Sequence, residues 1–156
     1  MRKLWAKNNF NPKYYNEKLD KTNTEEFEKI ISKIGWPSKS KVGKIASDYA
    51  WVLIQHTKDN KLANKALILM KNLPAGEQDW NKISKTIDRI RVKKGQPQLY
   101  GTSFKIDIKT KKLSVDTIYD IKNIDKRRKK IGLEESFKVF KARVIKDYNF
   151  FLKQKK

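Results

Sequence analysis

The pair Asp88-Arg89 closes a helical pattern, and shortly after it the chain reads Gly95-Gln96-Pro97-Gln98-Leu99-Tyr100-Gly101-Thr102. That stretch places amides, a phenol, a hydroxyl and permissive glycines beside a carboxylate and a guanidinium. Such a segment is costly to bury unless every polar group finds a partner, so it reads as the wall of a site. His56 is the single histidine of the chain, and histidine is the side chain whose charge ordinarily changes near neutral pH. A histidine with a carboxylate and an arginine suits hydrolysis or group transfer on an anionic substrate. In that reading His56 is the general acid or base and Asp88 orients it or accepts a proton. Gln55, Arg89, Gln96, Gln98, Tyr100 and Thr102 then contact the ligand. Each residue also has a plainer role: His56 as a satisfied structural histidine, Asp88 and Arg89 as solvated charges with Lys85 at i, i+3 spacing from Asp88, and the amides as ties between loops.

Composition narrows the chemistry. There is no cysteine, which excludes a thiol nucleophile, disulfides and thiolate metal sites. With one histidine and no thiolate, no metal site is expected, and no cofactor is expected either. No phosphate-binding glycine loop, dinucleotide fingerprint or nucleophile elbow occurs. The 38 basic against 17 acidic residues give a formal net charge of +21, which favours polyanions. Arginine is confined to Arg2, Arg89, Arg91, Arg127, Arg128 and Arg143, so the charge is mainly lysine, whereas base readout and phosphate clamps favour arginine. The expected function is a small-ligand-binding protein or enzyme, of hydrolase or transferase type, acting on a nucleotide-like or phosphorylated anion. The alternative is a basic nucleic-acid-binding module or nuclease-type toxin or effector that meets RNA or DNA through its basic surface. Trp5, Phe10, Tyr14 and Tyr15 alternate with lysines near the N-terminus, a pattern that stacks single-stranded bases or pins an arm to a core. No run is apolar enough for a signal peptide or a membrane span, so a cytoplasmic location is expected.

The elements that must position these residues are mostly helical. The 156-residue chain fits one domain. Residues 1–24 lack periodicity and read as an irregular basic arm, and residues 25–156 as a single helical domain. Thr24 followed by Glu25 and Glu26 resembles a helix start, and Gly35-Trp36-Pro37 a stop. Ser38 or Ser40 opens a second helix, with Val42, Ile45, Tyr49, Val52 or Leu53, and His56 at core spacing. A third helix over about 60–72 points Leu62, Ala66, Leu69, Met70 and Leu73 inward. A fourth carries the stripe Trp80, Ile83, Ile87 and Ile90 up to Gly95. Alternation at Phe104, Ile106 and Ile108, a lysine-rich turn, then Leu113 and Val115 predict a small β-hairpin. A short basic helix over Asp125 to Ile131 and a last helix over Glu134 to about Lys153 follow. The fold class is therefore mainly α, a compact helical domain with one β-hairpin before the C-terminal helices.

A family resemblance rests on these residues. Gly35-Trp36-Pro37, Val42-Gly43, Gln55-His56, Leu69-Met70, Gly76-Glu77, Asp88-Arg89, the Gly95–Thr102 segment, Asp125-Lys126-Arg127-Arg128 and Gly132-Leu133 stand in an order that resembles an uncharacterised bacterial domain-of-unknown-function family, number six-six-two-four. The resemblance implies a helical domain whose motif polar residues are Gln55, His56, Asp88, Arg89, Gln98, Tyr100 and Thr102. It brings no activity with it. Where that family has Gln after Tyr-Gly-Thr, this chain has Ser103, which removes any amide contact from that position.

Overall fold

The computed structural model describes residues 17–107 and 109–154. Trp5, Phe10, Tyr14, Tyr15 and Ile108, on which some sequence readings rest, lie outside them. Helix α1 spans Glu17–Ile34. It therefore begins upstream of Thr24, and residues 17–24 of the expected irregular arm are helical. Thr24 sits inside the helix instead of capping it, because the helix is already running: Lys21 pairs with Glu25 one turn on at 3.9 Å, and Thr22 Oγ1 donates back to Lys18 O.

Helix α2 covers Lys39–His56, with non-helical backbone at Gly43 (φ 77°, ψ 163°). Ser38 occupies the N-cap position but its hydroxyl meets Ser40 Oγ and caps no backbone N–H. Helix α3 (Asn60–Lys71) is capped by Asp59, which accepts from the backbone N–H of Lys61 and Leu62, and α4 (Trp80–Lys93) by Asp79, which accepts from that of Lys82. Strands β1 (Phe104–Ile106) and β2 (Leu113–Val115) pair antiparallel, Phe104 opposite Val115. A single 3-10 turn leads into α5 (Ile124–Lys130), and Ser136 caps α6 (Phe137–Lys153). The fold is thus mainly α with a two-stranded hairpin before the C-terminal helices, as the periodicities predict. No helix of the described residues is long and apolar enough to cross a membrane.

Two apolar clusters organise these elements. The larger joins α1 to α4 through Phe27, Ile31, Trp36, Ile54, Leu62 and Ile83, among others. The smaller gathers Ile124, Phe137 and Phe140 against Phe104, Val115 and Val144 of the hairpin and α6. The inward residues expected on α3 and α4 do pack there.

On α2 the expected core stripe is wrong. Ile45 is 73% exposed, Tyr49 57% and Leu53 38%, whereas Ser47, Ala50 and Ile54 are buried. Periodicity weighs side-chain size, but the small residues Ser47 and Ala50 are the ones turned inward, where α2 meets its neighbours. The Gly43 break also removes Val42 from the phase of the turns that follow.

Candidate functional site

The Gly95–Thr102 segment is tied to α4 by one carboxylate. Asp88 is 0% exposed. Its Oδ1 accepts from Leu99 N (2.7 Å) and Tyr100 N (3.1 Å), and its Oδ2 from Tyr100 N (3.2 Å), Thr102 N (2.9 Å) and Thr102 Oγ1 (2.8 Å). These donors satisfy both carboxylate oxygens and fold residues 99–102 around them. Gly101 permits the bend: its φ is +68°, and a Cβ there would stand 2.5 Å from the Phe137 ring.

Gln98, also 0% exposed, fastens the other side. Its amide donates to Ser103 O and Asp116 O and accepts from Ser103 N. Its own backbone bridges to Thr117 O and Tyr119 N. Arginines of α5 complete the knot. Arg127 donates to the carbonyls of Leu99 and Asp120 and closely to that of Tyr119. Arg128, 3% exposed, donates to Tyr100 O and twice to Glu135 O. Burial is the main influence on Arg128 and lowers its pKa. Placed between the two apolar clusters, these contacts use the polar groups of Asp88 and Gln98 internally. Both are positioning residues here, as are the backbone of Tyr100 and the whole polar edge of Thr102.

The remaining predicted residues have open faces. Gln55 donates to Thr86 Oγ1 at 2.9 Å, and Lys93 Nζ donates to Thr57 O at 2.7 Å. The last turn of α2, which carries exposed His56, therefore lies along the part of α4 that carries Arg89. Asp88 is turned into the knot, with its oxygens held by residues 99–102, so the geometry does not show it orienting His56. Gln96 is exposed at the turn after α4, and Tyr100 is half-buried. Burial, and then the Asp88 carboxylate, raise the Tyr100 phenol.

Arg89 is the unusual member. It is half-buried, and among the described residues its Nε is the buried side-chain nitrogen without a hydrogen-bond partner. Burial lowers its guanidinium pKa. One turn earlier, Lys85 is also half-buried, lies 5.7 Å from the Trp51 ring centroid and makes no ion pair with Asp88 or any other described carboxylate. Burial lowers its ammonium pKa, and the positive charge of Arg143 adds to this. Lys85 also lines a cleft of about 520 Å³ between α4, α5 and α6 that includes Thr102, Arg128 and Arg143.

In the sequence Lys85 reads only as a solvated neighbour of Asp88, and nothing marks Arg143 or Glu135. The i, i+4 spacing of Lys85 and Arg89 was the available signal for one cationic helix face. Nothing in sequence announced that the acid between them would turn inward.

The chain matches the family of unknown function (DUF6624) over residues 13–153 and belongs to that family. No curated protein and no solved structure matches it.

Proposed function

We propose that this protein binds an anionic small molecule, nucleotide-like or phosphorylated, on the cationic face of α4, with Arg89 as the principal charge contact and His56 as general acid or base. The observation that carries the reading is the buried, unpartnered Nε of Arg89. A partly desolvated cation without a counter-charge is unfavourable, and its natural complement is an oxyanion from outside the chain. Lys85 one turn earlier adds a second half-buried cation that forms no ion pair among the described residues, while Arg127 and Arg128 have their donors occupied by carbonyls. The Gln55–Thr86 bond supports the placement of His56, because it holds the last turn of α2 beside this part of α4.

A thermal-shift panel of inorganic phosphate, pyrophosphate, AMP and sugar phosphates at constant ionic strength tests the reading on wild type, Arg89→Ala and His56→Ala. Stabilisation of wild type by one compound and its loss in Arg89→Ala is the expected result. Equal stabilisation of wild type and Arg89→Ala by every compound overturns it. Retained turnover of the bound compound by His56→Ala removes the acid-base assignment alone.

The net charge of +21 supports a second reading, a basic nucleic-acid-binding module or nuclease-type effector. It requires affinity for RNA or DNA that falls steeply and linearly in log–log form with salt. Affinity that is weak and flat in salt removes it.

A further inference from the structure

The cleft between α4, α5 and α6 contains a carboxylate already seated on one of its cations. Arg143 Nε donates to Glu135 Oε1 at 3.0 Å and Arg143 Nη2 to Glu135 Oε2 at 2.8 Å. This is the fork-on-fork geometry with which arginine receives a carboxylate or phosphoryl group. The two groups differ in how firmly they are held. The backbone carbonyl of Glu135 is fixed by Arg128 Nε and Nη2, but its side chain is 30% exposed and bonded through Arg143 alone. The carboxylate can therefore rotate away without disturbing the loop. Lys85 lines the same cleft and has no carboxylate of its own. Phe104 and Phe140 line it too, and the Arg143 guanidinium stands 5.3 Å from the Phe140 centroid. At about 520 Å³ the cleft is of the size that holds a small organic ligand.

We propose that this cleft is a binding site for an organic phosphate or carboxylate with a flat apolar body, and that Glu135 is its built-in placeholder. The incoming anion takes the place of Glu135 on Arg143, a second oxygen meets Lys85, and the apolar body lies against Phe104 and Phe140. This rests on the proposed function in one respect, that the ligand is an anion. It adds which group of the chain competes with that anion and what the uncharged part of the ligand must be.

Calorimetric titration with phenyl phosphate and, separately, inorganic phosphate at constant ionic strength tests it on wild type, Glu135→Gln, Glu135→Ala and Lys85→Ala. Removing the internal competitor is expected to tighten phenyl phosphate about tenfold in both Glu135 variants, since a charge-assisted pair no longer has to be broken. Lys85→Ala is expected to weaken it by a similar factor, and inorganic phosphate to bind more weakly than phenyl phosphate throughout. Because Arg128 holds only the backbone of residue 135, both variants retain the wild-type fold and circular dichroism spectrum. Unchanged or weaker binding in both Glu135 variants overturns the placeholder role, even where Arg89→Ala still abolishes anion binding. Equal affinity for the two phosphates overturns the assignment of the apolar body. Absence of phenyl phosphate binding to any of these proteins overturns this proposal alone, because Arg89 does not line the cleft and its reading stands or falls with AMP and the other compounds of the thermal-shift panel.

Discussion

Asp88 and Thr102 are joined twice through one oxygen: Asp88 Oδ2 accepts from the backbone N–H of Thr102 at 2.9 Å and from its hydroxyl at 2.8 Å. That double contact ends the chain's turn around the buried carboxylate and delivers it into β1. It converts what looks in sequence like a row of ligand-binding groups into the joint between the helical part and the hairpin.

Asp88→Ala is therefore expected to act on stability. It leaves the donors of Leu99, Tyr100 and Thr102 buried without an acceptor. The cost is about 3–5 kcal/mol, the range for breaking a buried charged network. Urea denaturation measures it; a loss under about 1 kcal/mol would mean that the knot is not what holds residues 98–102.

Gly101 and Gly95 offer a paired test of the same joint. Both have φ of +68°, but a Cβ at Gly95 meets nothing within 4 Å, whereas one at Gly101 lies 2.5 Å from the Phe137 ring. Gly95→Ala is expected to cost about 1 kcal/mol from backbone strain, and Gly101→Ala roughly 2–4 kcal/mol once overpacking is added. Equal midpoint shifts for the two in denaturation would remove the steric argument.

The corrected face of α2 is tested by exchanging its two stripes. Ile45→Ser and Leu53→Ser are expected to change stability by less than about 0.5 kcal/mol each, because both side chains are already exposed. Ile54→Ala, at 1% exposure, is expected to cost about 2–5 kcal/mol. Thermal unfolding of the three variants distinguishes the stripes, and the reverse ranking would restore the one that periodicity predicts.

Asp48 sets an acid limit. Hydrogen bonds from Lys44 and then Lys82 lower its pKa from 3.8 to about 2. A carboxylate with a depressed folded-state pKa contributes stability that is present above its unfolded pKa and lost as pH falls through the folded one. Asp48→Asn is thus expected to lower the melting temperature at neutral pH, with the difference from wild type shrinking below pH 3.8 and vanishing near pH 2. A difference that is constant across that range would show that Lys44 and Lys82 do not act through charge. High salt at neutral pH should also narrow it, since these side chains are partly exposed.

The breakers were readable in advance: Trp36-Pro37 and Gly95 end helices, and the alternation around Phe104 and Leu113 marks the hairpin, whereas the Asp59 and Asp79 caps of α3 and α4 are found only in the structure. What stayed hidden depends on contacts far apart in sequence. Asp88 is buried because residues 99–102 wrap it, and Ser47 and Ala50 face inward because of the helices opposite. Among the candidate site residues, Asp88, Gln98 and Thr102 have their side-chain polar groups engaged internally. Gln55 and His56 were recognisable as neighbours in the chain, but their place along the Arg89 segment comes from the Thr86 and Lys93 contacts. Lys85 had only its i, i+4 spacing from Arg89 as a signal and Glu135 only its charge, since sequence does not tell a paired side chain from an unpaired one.

The most direct measurement is the dissociation constant of AMP for wild type and Arg89→Ala, by calorimetry at one ionic strength. Arg89 changes the net charge by a single unit out of +21, so a general attraction to anions would barely register the substitution. A built site on α4 predicts weakening by about tenfold or more, the effect of losing one charge-assisted contact, with the melting temperature of the free protein unchanged or raised. Equal dissociation constants for the two proteins would contradict the proposal that Arg89 is the ligand contact.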